Sequence, residues 1–193
     1  MDRHLNGYRI TARLFHWIVA LLVLLMIPAG IVMIQEGIGR SLQNSLFIFH
    51  KNFGVLVLLL VLARLLYRWR RPPPPLPDAV PGWQRRIAGL NHAALYALLV
   101  LMPVAGYVRV RAGGFPIEAL DALGVPAMVP RSDALAEVAK TTHYFGGLAL
   151  IAVVALHIGA AIYHGALRRD GVFSRMWPPF SGGGVAARGR DDS

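Results

Sequence analysis

Residues 141–167, TTHYFGGLALIAVVALHIGAAIYHGAL, carry no charge if their histidines are neutral, and three histidines stand among them at 143, 157 and 164. A helix rises about 1.5 Å per residue, so about 20 apolar residues cross a bilayer core. This stretch is long enough to do so. Two more uncharged runs of comparable length lie upstream, Trp17–Ile34 and Ile87–Val108. A fourth apolar block, roughly 45–67, carries Lys51 near its start and Arg64 near its end. The reading is an all-α integral membrane four-helix bundle, up-down-up-down, with helices at about 13–34, 43–67, 87–109 and 140–167. Isolated residues such as Pro28, Gly30, Gly54, Pro103 and Gly106 are tolerable inside such helices.

Composition agrees. Of 193 residues 55% are hydrophobic and only 16% charged, whereas soluble domains run nearer a quarter charged. The absence of cysteine excludes disulfides, thiolate metal sites, iron–sulfur clusters and covalently attached haem. A net charge of +10 suits nucleic acid or a membrane surface. The basic residues lie between apolar blocks rather than on a polar domain, so membrane lipid is the expected partner and nucleic acid is not. The first block is too long for a cleaved signal peptide and lacks a small-residue cleavage site.

With an even number of spans, the N-terminal arm, the 64–86 segment and the tail from Arg168 share one side. That side holds 14 basic and five acidic residues; the other holds six basic and five acidic. Basic residues accumulate in cytoplasmic loops, so both termini are expected in the cytoplasm. The run Arg70-Arg71-Pro-Pro-Pro-Pro-Leu-Pro makes a stiff, non-helical connector. Residues 1–176 read as one domain and 177–193 as a disordered tail. The 110–139 loop has room for a short amphipathic helix, and no internal repeat stands out.

Six of the seven histidines (His16, His50, His92, His143, His157 and His164) lie in the apolar blocks or at their ends. Ionisable residues within spans are costly and usually face the bundle interior for a functional reason; for any one of them hydrogen-bonded packing is the ordinary alternative. His143 and His157 are 14 residues apart, about 21 Å along the helix and only about 40° apart around it. His50 starts its helix at the level of His143, and His16 starts its own at the level of His157 or His164. Two stacked pairs follow, His50 with His143 and His16 with His157. A haem iron needs two axial nitrogens facing each other from rigid helices. Zinc would need further donors that cysteine or a nearby acid does not supply. Gly30, Gly54 and Gly147 lie on the same faces, where a flat macrocycle could approach the backbone, though glycine also serves plain helix contacts.

The ordered set of local motifs resembles the bacterial cytochrome b561 family. The matching pieces are Leu14-Phe15-His16-Trp17, Phe49-His50-Lys51-Asn52-Phe53-Gly54 and Arg64-Leu65-Leu66-Tyr67-Arg68 before the proline run. Asn91-His92-Ala93-Ala94-Leu95-Tyr96, Met102-Pro103-Val104-Ala105-Gly106, His143 and Leu156-His157 with Tyr163-His164 complete it. The likeness covers about residues 5–176 and is strongest to the superoxide oxidase-like branch.

It implies two non-covalent b-type haems with bis-histidine iron, held by His16, His50, His143 and His157. It also implies an oxidoreductase of the bacterial inner membrane that oxidises superoxide or another periplasmic donor and reduces ubiquinone of the quinone pool. The other function such a family member can have is a membrane-anchor cytochrome b passing electrons between a dehydrogenase or hydrogenase and quinone. A homo-oligomer is left open. His164 becomes a quinone ligand or proton relay, against a plain interfacial histidine. Arg64 becomes a haem-propionate or quinone contact, against snorkelling to lipid phosphate. His92 becomes a haem-edge or propionate partner, against polar packing. Trp83 and Arg85 become part of a quinone pocket, against an interfacial belt and a positive-inside residue. On the outer side Lys51, Arg109, Arg111, Arg131 and Lys140 are candidates to focus a small anion towards the His50–His143 haem, although nearby acids nearly cancel their charge, so such a patch has to be local.

Overall fold

A computed structural model describes residues 7–77 and 80–178. Four long helices account for most of it: α1 (Ile10–Val32), α2 (Arg40–Arg70), α3 (Gly82–Ala112) and α5 (Asp133–Ile162), with the short α4 (Glu118–Ala122) before α5. All four long helices are apolar and long enough to cross a membrane. The protein is a multi-pass membrane protein. The bundle has two ends: a connector end, with the proline segment and residues 169–178, and a loop end, with residues 33–39 and 113–132.

The helix limits differ from those expected by charge counting, because caps and prolines set them. α2 runs on to Arg70 and stops before Pro72, whose ring disfavours helical geometry in the residue ahead of it. α5 begins at Asp133 rather than near 140, since the Ser132 hydroxyl accepts a hydrogen bond from Leu135 N at 3.3 Å. α5 continues beyond Ile162 as a π-helical turn, Tyr163–Arg168.

The interior is thin. Val19, Leu22 and Val23 of α1 and Val57 and Val61 of α2 form a buried cluster, with Leu99 and Val100 of α3 and Val154 of α5 packed on it. Outward-facing residues such as Leu21, Leu59 and Leu101 are exposed, as lipid-facing side chains are. The tail does not begin at 177. Trp17 Nε1 donates to Met176 O at 2.9 Å, Arg13 donates to Pro178 O at 3.1 Å, and the Trp17 and Trp177 rings meet edge to face. The rest of the expected disordered tail, residues 179–193, lies outside the described residues.

An internal repeat is present, contrary to the reading of the sequence. Laying α1 on α3 with His16 over His92 also places Leu14 on Leu90, Met26 on Met102, Ala29 on Ala105 and Gly30 on Gly106. Laying α2 on α5 with His50 over His143 places Gly54 on Gly147. The contacts repeat as well. A Cβ on Gly30 would meet the His50 ring and one on Gly106 the His143 ring, while Gly54 faces the Met26 methyl and Gly147 the Met102 methyl. The molecule is two similar hairpins, α1–α2 and α3–α5, enclosing a shared space.

Candidate functional site

Two pairs of imidazoles face each other across that space. At the loop end the His50 and His143 rings have centres 6.0 Å apart and planes inclined at 76°. Nearer the connector end His16 and His157 repeat this at 6.0 Å and 71°. These are the pairs expected from depth along the helices.

Two imidazoles on opposite sides of one metal ion stand about 6 Å apart, with about 2 Å for each metal–nitrogen bond and about 1 Å from nitrogen to ring centre. The loop-end pair lines a cavity of about 1360 Å³, ample beside the 300–1,000 Å³ or so of ordinary ligand pockets. Among the described residues no three His, Cys, Asp or Glu side chains converge on a possible metal position. A metal held by either pair must therefore bring its other ligands, as iron does within the planar macrocycle of haem. The donor set fits that group.

Neighbouring backbone aims the rings. His143 Nδ1 lies 3.0 Å from Met102 O, so Nδ1 carries the proton and Nε2 is left to bind a metal. Gly106 permits the approach, for a Cβ there would stand 3.2 Å from His143 Cε1. Gly30 does the same for His50, with 2.9 Å to Cε1. Gly30, Gly54 and Gly147 all line the cavity with His50 and His143. Gly30 also makes room for the His50 imidazole, and a Cβ on Gly54 or Gly147 would stand 3.7 or 3.5 Å from a methionine methyl. The use of Met102 and Gly106 was not read from sequence, although both lie in one of the quoted motifs.

At the connector end the repeat is broken, since Arg64 stands where the second hairpin has His157. Arg64 Nε donates to the Tyr96 hydroxyl at 3.0 Å, and Arg68 also lies over the Tyr96 ring. His92 packs against His157, ring centres 5.5 Å apart. Trp83 is 63% exposed, as an interfacial residue is. Arg85 donates to Val80 O at 2.8 Å and Pro77 O at 3.1 Å, clamping the connector onto α3. Neither Trp83 nor Arg85 lines the cavity at the loop end or the crevice around Arg64. His164 is bonded through Nδ1 to Asp170 Oδ2 at 2.6 Å, a partner that sequence reasoning missed.

Three of the five loop-end cations are paired with acids, in keeping with the nearly cancelling charge of that side. Lys51 pairs with Glu118 at 2.7 Å, Arg111 with Asp121 at 2.5 Å and Lys140 with Glu137 at 3.0 Å. Lys51 also donates to Pro116 O, and Asn52 donates to Glu118 Oε2 while accepting from Ala119 N. This network fastens α4 to α2. Burial alone would raise the Glu118 carboxyl, but the hydrogen bonds from Lys51 and Asn52 outweigh it and hold the group below the usual carboxylate range. Arg109 and Arg131 have no acidic partner among the described residues, and Arg109 lines the cavity with His50 and His143.

Comparison with known proteins gives one family model, described as prokaryotic cytochrome b561, matching residues 7–179. Cytochrome b561 homolog 2 of Escherichia coli (strain K12) is 29% identical over 170 residues, 88% of this chain and 90% of that protein. Cytochrome b561 homolog 1 of the same organism is 26% identical over 174 residues, 90% and 98% of the two chains. A protein of Yersinia pestis named probable superoxide oxidase CybB is 29% identical over 166 residues, 84% and 91% of the two.

Proposed function

The chain belongs to the prokaryotic cytochrome b561 family, and from that premise we propose that it is a di-haem cytochrome oxidising superoxide at the loop end and reducing ubiquinone towards the connector end. Membrane electron transfer with b-type haem is the family's activity; two haems, the donor and the acceptor are the finer reading.

The observation that carries it is the pair of matched imidazole pairs at two depths. His50 and His143 would hold one haem, and His16 and His157 the other. Bound haem supplies reversible one-electron oxidation and reduction of its iron. The chain's own residues do the rest. Met102 O and Gly106 fix the His143 tautomer and position. The buried cluster around Val19, Val23, Val57 and Val61 contributes an apolar layer between the two levels, opposing passage of water and ions. His92 supports His157 from α3.

Superoxide is a small anion, and Arg109, which has no ion-pair partner among the described residues, lines the same cavity as His50 and His143, together with Glu118, Asp133 and Glu137. The relative named probable superoxide oxidase supports the same donor. Two superoxide anions each give up one electron and leave as dioxygen; one ubiquinone takes both electrons and two protons. His164 is the proton donor in this reading, and Arg64, held by Tyr96, is a polar contact for the quinone carbonyl. The basic excess supports an orientation in a bacterial inner membrane with the connector end and both termini on the cytoplasmic side.

Stopped-flow mixing with superoxide tests the donor. Attraction of an anion to Arg109 weakens as the Debye length falls from about 30 Å at 0.01 M salt to about 8 Å at 0.15 M. Haem reduction by superoxide should slow over that range, and Arg109→Gln should slow it about tenfold at low salt while flattening the dependence. Reduction by added quinol should be unaffected. A salt-independent rate unchanged by Arg109→Gln would overturn the role given to Arg109, and no reduction of haem by superoxide would overturn the superoxide reading.

A further inference from the structure

Beyond α5 the chain reverses sharply and one carboxylate is turned back onto His164. The π-helical turn Tyr163–Arg168 carries His164, and such turns recur at functional positions. Arg169 (φ 50°) and Gly171 (φ 83°) then take left-handed conformations that fold the segment back. Gly165 allows the return, since a Cβ there would stand 3.0 Å from Phe173 Cγ. The reversal leaves the Asp170 side chain 8% and the His164 side chain 13% exposed, with Oδ2 and Nδ1 2.6 Å apart. Asp170 Oδ1 accepts from Val172 N at 3.3 Å.

We infer that Asp170 is a positioning residue for ubiquinone reduction, holding His164 with its proton on Nδ1 so that Nε2 is the nitrogen that delivers a proton to the quinone oxygen. The inference rests on the reading of His164 as proton donor and goes beyond it by naming the group that orients the ring. Nε2–H breaks as the quinone O–H forms, and the electrons come from superoxide. The ring, now neutral, keeps Nδ1–H on the carboxylate and so stays aimed; Nε2 regains a proton from water at the connector end before the second transfer. The carboxylate can serve because it is ionised. Burial would raise its pKa, but the hydrogen bonds from His164 and Val172 N outweigh that and hold it below the usual range. The rival role is a turn cap, with Asp170 needed only for Val172 N.

The test compares His164→Ala, Asp170→Asn and the double variant in the full chain, with haem content and absorption spectrum checked first. His164→Ala should lower kcat for quinone reduction about a hundredfold and Asp170→Asn about tenfold. KM for quinone should change little in Asp170→Asn, and superoxide should still reduce haem at the wild-type rate. A group acting through His164 has nothing left to act on once the ring is gone, so the double variant should match His164→Ala. Additive losses would overturn the inference in favour of the turn cap, as would full activity in Asp170→Asn beside a slow His164→Ala. An unaffected His164→Ala would overturn the underlying proton-donor reading instead. Nitrogen-15 spectra of the imidazoles in the wild-type protein give a readout without turnover or substitution. Neutral His164 should be protonated at Nδ1, and protonation at Nε2 alone would overturn the inference.

Discussion

Replacing His143 by alanine should lower bound haem from two per chain to one. His143 is tied to the fold more firmly than an ordinary packing residue: its Nδ1 is bonded to Met102 O, and its ring fills the recess left by Gly106. Removing it leaves His50 alone across a cavity that is already about 1360 Å³, with a single axial nitrogen. The connector-level pair should survive, because His157 lies 14 residues away, about 21 Å along α5, with a buried apolar cluster between the two levels. Pyridine haemochrome assay of purified protein reads the change as a halving. Two haems in this variant would remove His143 from the ligand set. The thermal midpoint should fall as well, since a ligand that binds only the folded chain no longer contributes at that site.

Gly106→Val should produce nearly the same loss without touching a histidine. A Cβ at Gly106 would stand 3.2 Å from His143 Cε1 and 3.3 Å from Nδ1, tighter than ordinary contact before the two methyls are added. The ring must swing off α3, which breaks the bond to Met102 O and moves Nε2 from its place opposite His50. Gly89→Ala on the same helix is the control, since nothing lies within 4 Å of a Cβ there, and alanine is the better helix former by about 1 kcal/mol. Haem content should be halved in the first variant and unchanged in the second, with equal helical circular dichroism in both. Two haems with an unaltered spectrum in Gly106→Val would mean that His143 does not lean on α3 as described.

The spans were legible because lipid demands long uncharged runs, and His16, His50, His143 and His157 were legible because helical rise converts spacing into depth. Helix ends were less so. Ser132 starts α5 well before the apolar stretch begins, and only a capping bond reveals it. The repeat escaped notice because its two offsets differ, the step from His16 to His92 being shorter than the step from His50 to His143. The longer 113–132 loop destroys any single period. Charge counting likewise saw five loop-end cations and could not see that Glu118, Asp121 and Glu137 each hold one of them. Asp170 lies six residues after His164, a spacing that no regular helix turns into a contact. Only the π-turn and the left-handed residues after it bring the two side chains together.

The central claim is that each of two iron centres lies between two imidazoles from different helices. Electron paramagnetic resonance of the oxidised wild-type protein, integrated against chain concentration, tests it most directly. Imidazole planes inclined at 76° and 71° would leave the two π-type d orbitals of a ferric iron held between them nearly equal in energy. Such a centre gives a low-spin signal dominated by one large g value. The account predicts two such centres per chain and no high-spin iron; one centre per chain, or a high-spin signal from iron with a single axial histidine, would contradict it.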